Sequence, residues 1–323
     1  MRLAAIDIGT LTCRLLVADV NLPDEFKEID SDRRILRLGE GVDRYKRLAA
    51  EAMDRVVRTL KEWKERMANH DVDALAIVAT SAVRESENRQ EFLARVKQET
   101  SWVVEILTGE EEAGRTVLGI RFGLPERIGD FLGLDIGGGS TEWILNRKGQ
   151  SPKVLSLDLG VVRLLERVFR HDPPTAQDLQ NAEVCIDEEL AKVVEAFGEV
   201  PSFPLVGTAG TVTTLAAMAL RLKQYDATRV HNYELTLSTV KRLEKHLITK
   251  TGLERLDMPG LESGREFVIV AGTIILRRLM ETFDLKLCLV SDYGLREGIL
   301  VDLAKKMEKN IPGKFVGDWK DYC

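Results

Sequence analysis

The sequence predicts an α/β protein of two domains. Its 323 residues amount to about two domains of ~150 residues each. Apolar runs typical of buried strands alternate with segments whose apolar residues recur at helical spacing. A glycine-rich hairpin at Asp7-Ile8-Gly9 returns as Asp135-Ile136-Gly137, 128 residues further along the chain. These observations predict two copies of one α/β unit, with a ligand cleft between them.

Composition narrows the classes of partner. The chain has 46 basic and 52 acidic residues and a net charge of −6, so we expect no nucleic-acid or anionic-membrane partner. The longest uncharged stretch, Val200–Leu220, contains two prolines and a polar glycine segment, which argues against a membrane span. The N-terminal apolar run is too short for a signal peptide, so we expect a cytoplasmic protein. A homodimer is left open.

The first domain is predicted to cover residues 1–124. Short apolar runs indicate its strands, and Asn88-x-x-Glu91 and Thr108-x-x-Glu111 have the spacing of helix capping boxes. The predicted strands are Leu3–Ile8, Arg14–Val20, a segment within Phe26–Leu38, Ala74–Ala79 and Trp102–Leu107. The predicted helices are Met53–Met67, one from Asn88 to about Glu99, and one opening at Thr108.

The second domain, residues 125–292, follows the boundary signal Gly123-Leu124-Pro125 and is more helical. Its predicted strands are Phe131–Ile136, Glu142–Leu145, Val154–Leu157, Phe203–Val206 and Leu285–Val290. Its predicted helices are Val161–Arg170, Ala176–Phe197, Val212–Leu222, Ser238–Thr249 and Phe267–Phe283. A last helix, residues 293–309, could complete the first domain, and residues 310–323 form a C-terminal tail.

The segment Asp135–Glu142 is the strongest chemical signal. Its three glycines, Gly137, Gly138 and Gly139, let backbone amides approach an anion closely, and Ser140 and Thr141 add hydroxyl groups. Asp135 and Glu142 supply the hard oxygen ligands that Mg²⁺ prefers. The segment therefore predicts a phosphate-binding loop with a metal beside it. The alternative is a glycine-rich hairpin with structural carboxylates, and the second copy at Asp7–Arg14 argues against it.

A third glycine loop, Gly207-Thr208-Ala209-Gly210-Thr211, follows a short strand and precedes a helix. Backbone amides at such a helix start suit another anion or a nucleotide. The alternative is that small residues here allow a helix to pack closely on a strand.

Six segments together resemble the exopolyphosphatase and guanosine pentaphosphate phosphatase family, in its short two-domain form. They are Asp7-Ile-Gly-Thr10, Thr80-Ser-Ala-Val-Arg84, Gly109-Glu-Glu-Glu-Ala113, Asp135-Ile-Gly-Gly-Gly-Ser-Thr-Glu142, Gly207-Thr-Ala-Gly-Thr211 and Ser291-Asp-Tyr-Gly-Leu-Arg-Glu-Gly298. The resemblance implies an actin-like ATPase fold, in which a ribonuclease H-like unit is duplicated. It also implies Mg²⁺-dependent removal of the terminal phosphate of inorganic polyphosphate, or of the 5′ γ-phosphate of guanosine pentaphosphate.

Hydrolysis of a phosphoanhydride needs a group that activates water, and Glu110, Glu111 and Glu112 are candidates. Capping-box spacing gives Glu111 a structural partner in Thr108, which leaves Glu112 as a candidate base. The family's Glu-Glu-Ala pattern likewise implies that Glu112 is the catalytic glutamate. The alternative for the whole run is simple stabilisation of a helix N-terminus by acidic residues.

The remaining site residues rest on position and on the resemblance. Arg84 follows the strand Ala74–Ala79, where α/β folds place ligand groups, and its guanidinium suits phosphoryl oxygens; a salt bridge to Glu85 or Glu87 is the alternative. Glu142 is predicted to ligate Mg²⁺ or to hold the attacking water, and Asp7 and Asp135 to contact the metal. Thr10, Thr12 and Arg14 are predicted substrate contacts, although Leu11 replaces an asparagine that is common in the family.

A basic stripe, Arg163, Arg167 and Arg170, has helical spacing. It could hold a polyphosphate tail, but a solvated helix face is the favoured interpretation.

Two rival functions are also kept as hypotheses. One is an ATP-dependent small-molecule kinase, and the other is a noncatalytic polyphosphate or alarmone sensor.

Overall fold

The computed structural model describes residues 1–23, 25–125, 128–198 and 203–309. The predicted tail, residues 310–323, lies outside the described residues. The chain divides into two compact units. Of the described residues, the first contains those from Met1 to Phe122 and from Gly294 to Lys309, and the second contains those from Gly123 to Tyr293.

Strands and helices alternate along the described chain, as the sequence predicts. The elements up to Gly123 are β1 (Arg2–Ile8), β2 (Thr12–Asn21), β3 (Glu25–Ile35), α1 (Val42–Tyr45), α2 (Ala50–Met67), β4 (Ala74–Ala79), α3 (Ser81–Arg84), α4 (Arg89–Thr100), β5 (Glu105–Ile106) and α5 (Gly109–Gly123). The elements that follow are β6 (Phe131–Ile136), β7 (Thr141–Asn146), β8 (Lys153–Leu157), α6 (Val161–Val168), α7 (Ala176–Phe197), β9 (Leu205–Thr208), α8 (Ala209–Ala219), α9 (Ala227–Val230), β10 (Glu234–Thr236), α10 (Leu237–Leu247), α11 (Gly252–Arg255), α12 (Val268–Thr282), β11 (Leu287–Val290) and α13 (Leu295–Glu308).

The sheet of the first unit has the order β3-β2-β1-β4-β5. The strands β1, β2 and β3 are antiparallel neighbours, whereas β4 runs parallel to β1 and β5 parallel to β4. Alternate side chains of β1 enter two cores on opposite faces of the sheet. Ile6 and Ile8 pack with residues of α2 and α4, and Leu3 packs with residues of α13. The last helix therefore covers one face of the first sheet.

The sheet of the second unit repeats this plan, with the order β10-β11-β9-β6-β7-β8. The hairpin β6–β7–β8 is antiparallel, and β9 runs parallel to β6. Every residue of β6 and β7 is buried, as expected of strands covered on both faces. The apolar helix α12 packs against α6, α7, α8 and α10.

The registers of the two hairpins confirm the internal repeat. Asp7 pairs with Arg14 across β1 and β2, and Asp135 pairs with Glu142 across β6 and β7. Three antiparallel strands followed by parallel strands, present twice, form the duplicated ribonuclease H-like arrangement of the actin-like ATPase fold. The predicted fold class is therefore confirmed.

Two glycines allow α5 and α13 to cross closely within the first unit. A Cβ atom at Gly119 would lie 1.9 Å from the carbonyl oxygen of Gly294, and one at Gly298 would lie 1.7 Å from that of Arg115. No side chain fits at those separations. The two helices therefore meet backbone to backbone.

Three local predictions are wrong in extent or detail. The strand predicted over Trp102–Leu107 is only Glu105–Ile106, and the helix predicted from Val161 ends at Val168. Asn88 does not cap its helix, because its side chain bonds the backbone of Leu48 instead, 2.8 Å to the amide and 3.0 Å to the carbonyl. A distant partner, Leu48, thus replaces the expected partner within the helix.

Within the described ranges, no helix has the length and apolarity needed to cross a membrane.

Candidate functional site

Each sheet places its predicted functional residues at one edge. In the first unit, β1, β4 and β5 are parallel neighbours, and the segments Gly9–Thr12, Thr80–Arg84 and Thr108–Glu112 follow their carboxyl ends. In the second unit, Asp135 pairs with Thr208 across β6 and β9, so the loops after these strands also share an edge. The carboxyl edge of parallel strands is where α/β folds bind ligands.

The loop after β6 is held so that its amides form a row of donors. The amides of Val161 and Val162 donate to the carbonyls of Gly137 and Gly138, at 3.0 and 2.9 Å. In a trans peptide the N–H points opposite to the C=O of the same unit. The amides of Gly138 and Gly139 therefore point away from α6. The amide of Gly137 itself donates to the carbonyl of Ser140 over 3.0 Å, so two adjacent amides are presented in the way that backbone anion nests present theirs. That the loop binds phosphate stays a prediction.

Arg163 completes this loop and was not identified as a site residue from the sequence. Its side chain is only 6% exposed, and Nε donates to the carbonyl of Gly139 over 2.7 Å. The peptide that follows Gly139 is thereby oriented as well, and the amide of Ser140 points away from Arg163. The predicted solvated stripe over Arg163, Arg167 and Arg170 is wrong, because Arg163 is buried and Arg170 lies beyond the end of α6.

Gly160 keeps α6 close to the loop. A Cβ atom at Gly160 would lie 2.3 Å from the carbonyl oxygen of Gly138 and 2.4 Å from the carbonyl carbon of Gly139. The two hydroxyls of the loop lie in the interior. Ser140 is buried, and Thr141 donates to the carbonyl of Leu159. The loop is therefore held against α6 by backbone contacts and by buried hydrogen bonds.

Asp135 and Glu142 stand opposite each other where β6 and β7 leave the loop. Their side chains are 8% and 1% exposed, and Ser156 Oγ donates to Glu142 Oε1 over 2.9 Å. Two neighbouring buried carboxylates repel each other, and a divalent cation relieves that repulsion. The donor set fits Mg²⁺, which binds through one or two carboxylates and keeps water and phosphate oxygens as its other ligands. Among the residues with described placement, no group of three or more His, Cys, Asp and Glu could hold a metal alone.

Asp7, the third predicted metal contact, belongs to the first unit. Its Oδ1 is buried and receives no hydrogen bond. Burial raises the pKa of Asp7 to about 6, although the nearby charges of Arg14 and Arg296 act in the opposite direction. Arg14 is the strand partner of Asp7, and its Nε is also buried without a hydrogen-bond partner. These buried polar atoms suit a polar ligand.

The first glycine loop is held in the same way as the second. The amide of Gly39 donates to the carbonyl of Thr10, and the amides of Leu36 and Arg37 donate to that of Leu11, each at 2.9 Å. The amides of Leu11 and Thr12 therefore point away from those donors. Thr10 is buried, with its methyl group against Gly39.

Arg84 and Glu112 meet in the first unit. Arg84 Nη1 donates to Glu112 Oε2 over 3.1 Å and to the carbonyl of Leu107 over 2.8 Å. Arg84 thus pairs with Glu112 rather than with either glutamate of the alternative salt bridge. The predicted capping box is present, with 2.8 Å from the amide of Thr108 to Glu111 Oε2. Glu111 therefore does the structural work, and Glu112, 8% exposed, is the glutamate beside the arginine.

The predicted third glycine loop is a direct junction of a strand and a helix, because Gly207 and Thr208 belong to β9 and Ala209–Thr211 belong to α8. We keep the name third glycine loop for this junction, which is tied to its surroundings at both ends. Thr208 Oγ1 donates to the carbonyl of Tyr293 over 3.0 Å, and Thr211 is buried against Gly272 of α12. A Cβ atom at Gly210 would lie within 2.5 Å of the guanidinium of Arg265, which the sequence analysis missed. Arg265 in turn donates to Glu262 Oε2 over 2.7 Å. Gly210 is therefore required by the packing of an arginine against the loop backbone.

Comparisons with known proteins find similar sequences and structures. A family model described as the Ppx/GppA phosphatase family matches residues 16–307. Exopolyphosphatase 2 of Mycobacterium tuberculosis is 34% identical over 315 residues, which cover 94% of this chain and 98% of that protein. A guanosine-5'-triphosphate,3'-diphosphate pyrophosphatase of Vibrio cholerae is 28% identical over 306 residues, covering 95% and 60% of the two chains. The crystal structure of an exopolyphosphatase from Cytophaga hutchinsonii has a TM-score of 0.88 and 30% identity, covering 98% of this chain and 100% of that one.

Proposed function

The chain belongs to the Ppx/GppA phosphatase family, and on that premise we propose that it hydrolyses the terminal phosphoanhydride of inorganic polyphosphate and releases orthophosphate. One observation carries the choice of substrate. The 34% identity to an exopolyphosphatase extends over 98% of that enzyme. The pinned glycine loops supply what a chain of phosphates requires, namely backbone donors that need no reorganisation when the anion binds.

The reaction replaces the bridging P–O bond of the terminal phosphate with a bond to a water oxygen. Glu112 accepts the proton of the attacking water, and the shortened polyphosphate leaves with the bridging oxygen. Arg84 binds the oxygens of the transferred phosphoryl group, whose charge must be neutralised. The contact between Arg84 and Glu112 would keep the base beside the phosphoryl group that the arginine binds.

The remaining residues bind the substrate. The amides of Gly138 and Gly139 and the hydroxyl of Ser140 contact phosphate oxygens, as does the backbone of the third loop at Gly207, Thr208, Gly210 and Thr211. The amide of Gly137 and the hydroxyl of Thr141, which were also predicted contacts, donate instead to the carbonyls of Ser140 and Leu159. Thr10, Thr12 and Arg14 do the same in the first loop. Asp135 and Glu142 would hold Mg²⁺, and the ion would supply charge neutralisation. Asp7 stays a predicted metal contact within the first unit. Members of the family need divalent metal ions, and Mg²⁺ is our proposal for this chain.

Guanosine pentaphosphate is the second candidate substrate. The similarity to a guanosine-5'-triphosphate,3'-diphosphate pyrophosphatase over 95% of this chain supports it. Removal of the 5′ γ-phosphate is the same phosphoanhydride chemistry, so the same residues would act. A cytoplasmic location and a homodimer also stay predictions.

The test is orthophosphate release from each substrate by the purified protein with Mg²⁺. Glu112→Gln is expected to lower kcat by roughly 10²–10⁴-fold, the usual contribution of a general base. Glu111→Gln is the matched control, and it should keep its activity because Glu111 serves the cap. Full activity of Glu112→Gln would remove Glu112 from the mechanism. ATP consumption only with an acceptor would indicate a kinase, and tight binding without turnover a sensor.

A further inference from the structure

His231 joins two parts of the second unit that are far apart in sequence. Its Nε2 lies 2.8 Å from the carbonyl oxygen of Gly123, and the amide of Asp292 lies 3.2 Å from its Nδ1. The ring also stacks on Tyr293, with 5.0 Å between ring centroids and 24° between planes. One side chain therefore holds the beginning and the end of the second unit together.

The two hydrogen bonds require a single tautomer of the ring. A backbone amide can only donate, so Nδ1 must accept from Asp292. The proton of the neutral ring is then on Nε2, which donates to Gly123. Both ring nitrogens are used, and a side chain without two opposed polar atoms cannot replace them.

The residue at position 123 has to be glycine for this arrangement. A Cβ atom there would lie 2.6 Å from Cδ2 of Tyr293 and 2.9 Å from Cε1 of His231. Gly123 is also the last residue of α5, the helix that carries Glu112 in its first turn. The last carbonyls of a helix lack partners within the helix. The imidazole of His231 supplies one of these partners.

The segment that His231 holds is also the segment that holds the third glycine loop. Thr208 Oγ1 donates to the carbonyl of Tyr293 over 3.0 Å, and the amide of Ser291 donates to the carbonyl of Gly207 over 2.8 Å. A short path thus leads from the imidazole through Asp292 and Tyr293 to Thr208. Movement of this segment would move the loop.

We propose that His231 is a positioning residue, which sets the third glycine loop for phosphate by bonding Gly123 and Asp292 at the same time. It lies beside the loop without belonging to it. The proposal rests on the proposed function, because it assumes that the loop binds the phosphates of the substrate.

The test compares His231→Phe with the wild type and with His246→Phe. Phenylalanine keeps a ring beside Tyr293 but loses both hydrogen bonds, and His246 is an exposed histidine of α10. In His231→Phe, amide hydrogen exchange at Asp292 and Ser291 should accelerate. KM for polyphosphate and Kd for orthophosphate should rise by about five-fold or more, the factor expected for one lost hydrogen bond, while kcat changes little. His246→Phe should match the wild type.

Two further variants keep the test decisive if His231→Phe folds poorly. His231→Gln keeps a donor for Gly123 and should recover part of the affinity, whereas Gly123→Ala should reproduce the loss by forcing the rings apart. Unchanged KM and orthophosphate Kd in His231→Phe and Gly123→Ala would overturn the proposal. If the wild type binds orthophosphate but hydrolyses neither substrate, the proposed function fails, and the Kd comparison still decides the role of His231.

Discussion

Arg84 Nη1 donates to Glu112 Oε2 over 3.1 Å in the first unit. The two residues are 28 positions apart in sequence, and they meet because β4 and β5 end side by side. The same nitrogen also binds the carbonyl of Leu107. The guanidinium is thus anchored through one nitrogen, and its other donors remain for the phosphoryl group that we propose it binds.

Replacing Arg84 is expected to damage catalysis severely. Arg84→Met should lower kcat/KM for polyphosphate by about 10³-fold or more, as for other arginines that neutralise a transferred phosphoryl group. Arg84→Lys should restore only part of this, because an ammonium group lacks the planar fork. Orthophosphate release measures both. Arg89→Lys, at an exposed neighbour that donates to the Arg84 carbonyl, serves as the control, and a loss below ten-fold in Arg84→Met would contradict the assigned role.

Adding one methyl group at Gly160 is expected to disturb the second phosphate loop. The new Cβ would collide with the backbone of Gly138 and Gly139, so Gly160→Ala should displace the loop and lower kcat/KM by about 10²-fold. Steady-state kinetics with polyphosphate test this. At Gly129 a Cβ would have ordinary contacts, the nearest 3.4 Å away on Lys148, so Gly129→Ala should behave like the wild type. Equal kinetics in the two variants would show that the loop adapts.

The hydroxyl of Ser156 is expected to matter for the metal. It donates to Glu142 Oε1 and so orients a carboxylate that we assign to Mg²⁺. Ser156→Ala should raise the Mg²⁺ concentration needed for half-maximal activity by roughly ten-fold, as for other groups that orient metal ligands. Ser151→Ala, at an exposed position before the same strand, should leave it unchanged. An unaltered Mg²⁺ requirement in Ser156→Ala would argue against Glu142 as a ligand.

Stability at low pH is expected to depend on Asp178. Hydrogen bonds from Thr175, the backbone amide first, and from His171 hold the pKa of Asp178 well below its ordinary value. A group whose pKa is lowered in the folded state stabilises the protein at higher pH, and this contribution disappears as the pH falls. Asp178→Asn should therefore lower the free energy of unfolding at pH 7, and its difference from the wild type should shrink below about pH 4.

Urea denaturation at several pH values measures that difference. Asp257→Asn, which changes an exposed aspartate, is the control, and it should lower the free energy of unfolding only slightly at pH 7. A constant difference between Asp178→Asn and the wild type from pH 7 to pH 3 would mean that the carboxylate charge is not responsible.

Local patterns were sufficient to predict most of the longer elements and the first two glycine loops, but not the short elements α1, α3, α9, α11 and β10. The limits of β4, β6 and α7 coincide with the predicted Ala74–Ala79, Phe131–Ile136 and Ala176–Phe197. These segments are bounded by turn residues or caps next to them in sequence, so the relevant physics is local. The repeat at Asp7 and Asp135 added long-range information, because a duplicated hairpin must occupy equivalent places in two sheets.

The contacts that Arg163 and Arg265 make with the glycine loops could not be predicted from local sequence patterns. Arg163 lies 24 residues from the Gly139 carbonyl that it binds, and Arg265 packs on Gly210 from another part of the chain. In the sequence, Arg163 belongs to an ordinary stripe of charges, which is typical of a solvated helix. Burial of its guanidinium depends on the tertiary fold, and no local spacing reports it. The cap predicted at Asn88 is absent for the same reason, because the backbone amide of Leu48 occupies the side-chain oxygen of Asn88 that would have capped the helix.

The backbone crossing at Gly119 restricts how many residues can separate Gly119 from Glu112 in α5. Glu112 and Gly119 are seven residues apart, nearly two full turns, so they lie on almost the same side of the helix, within about 20°. Inserting or deleting one residue between them would rotate one relative to the other by about 100°. Either the glycine would leave α13 or the glutamate would leave Arg84. Relatives of this chain should therefore vary in loop length far more readily than in this stretch of seven residues.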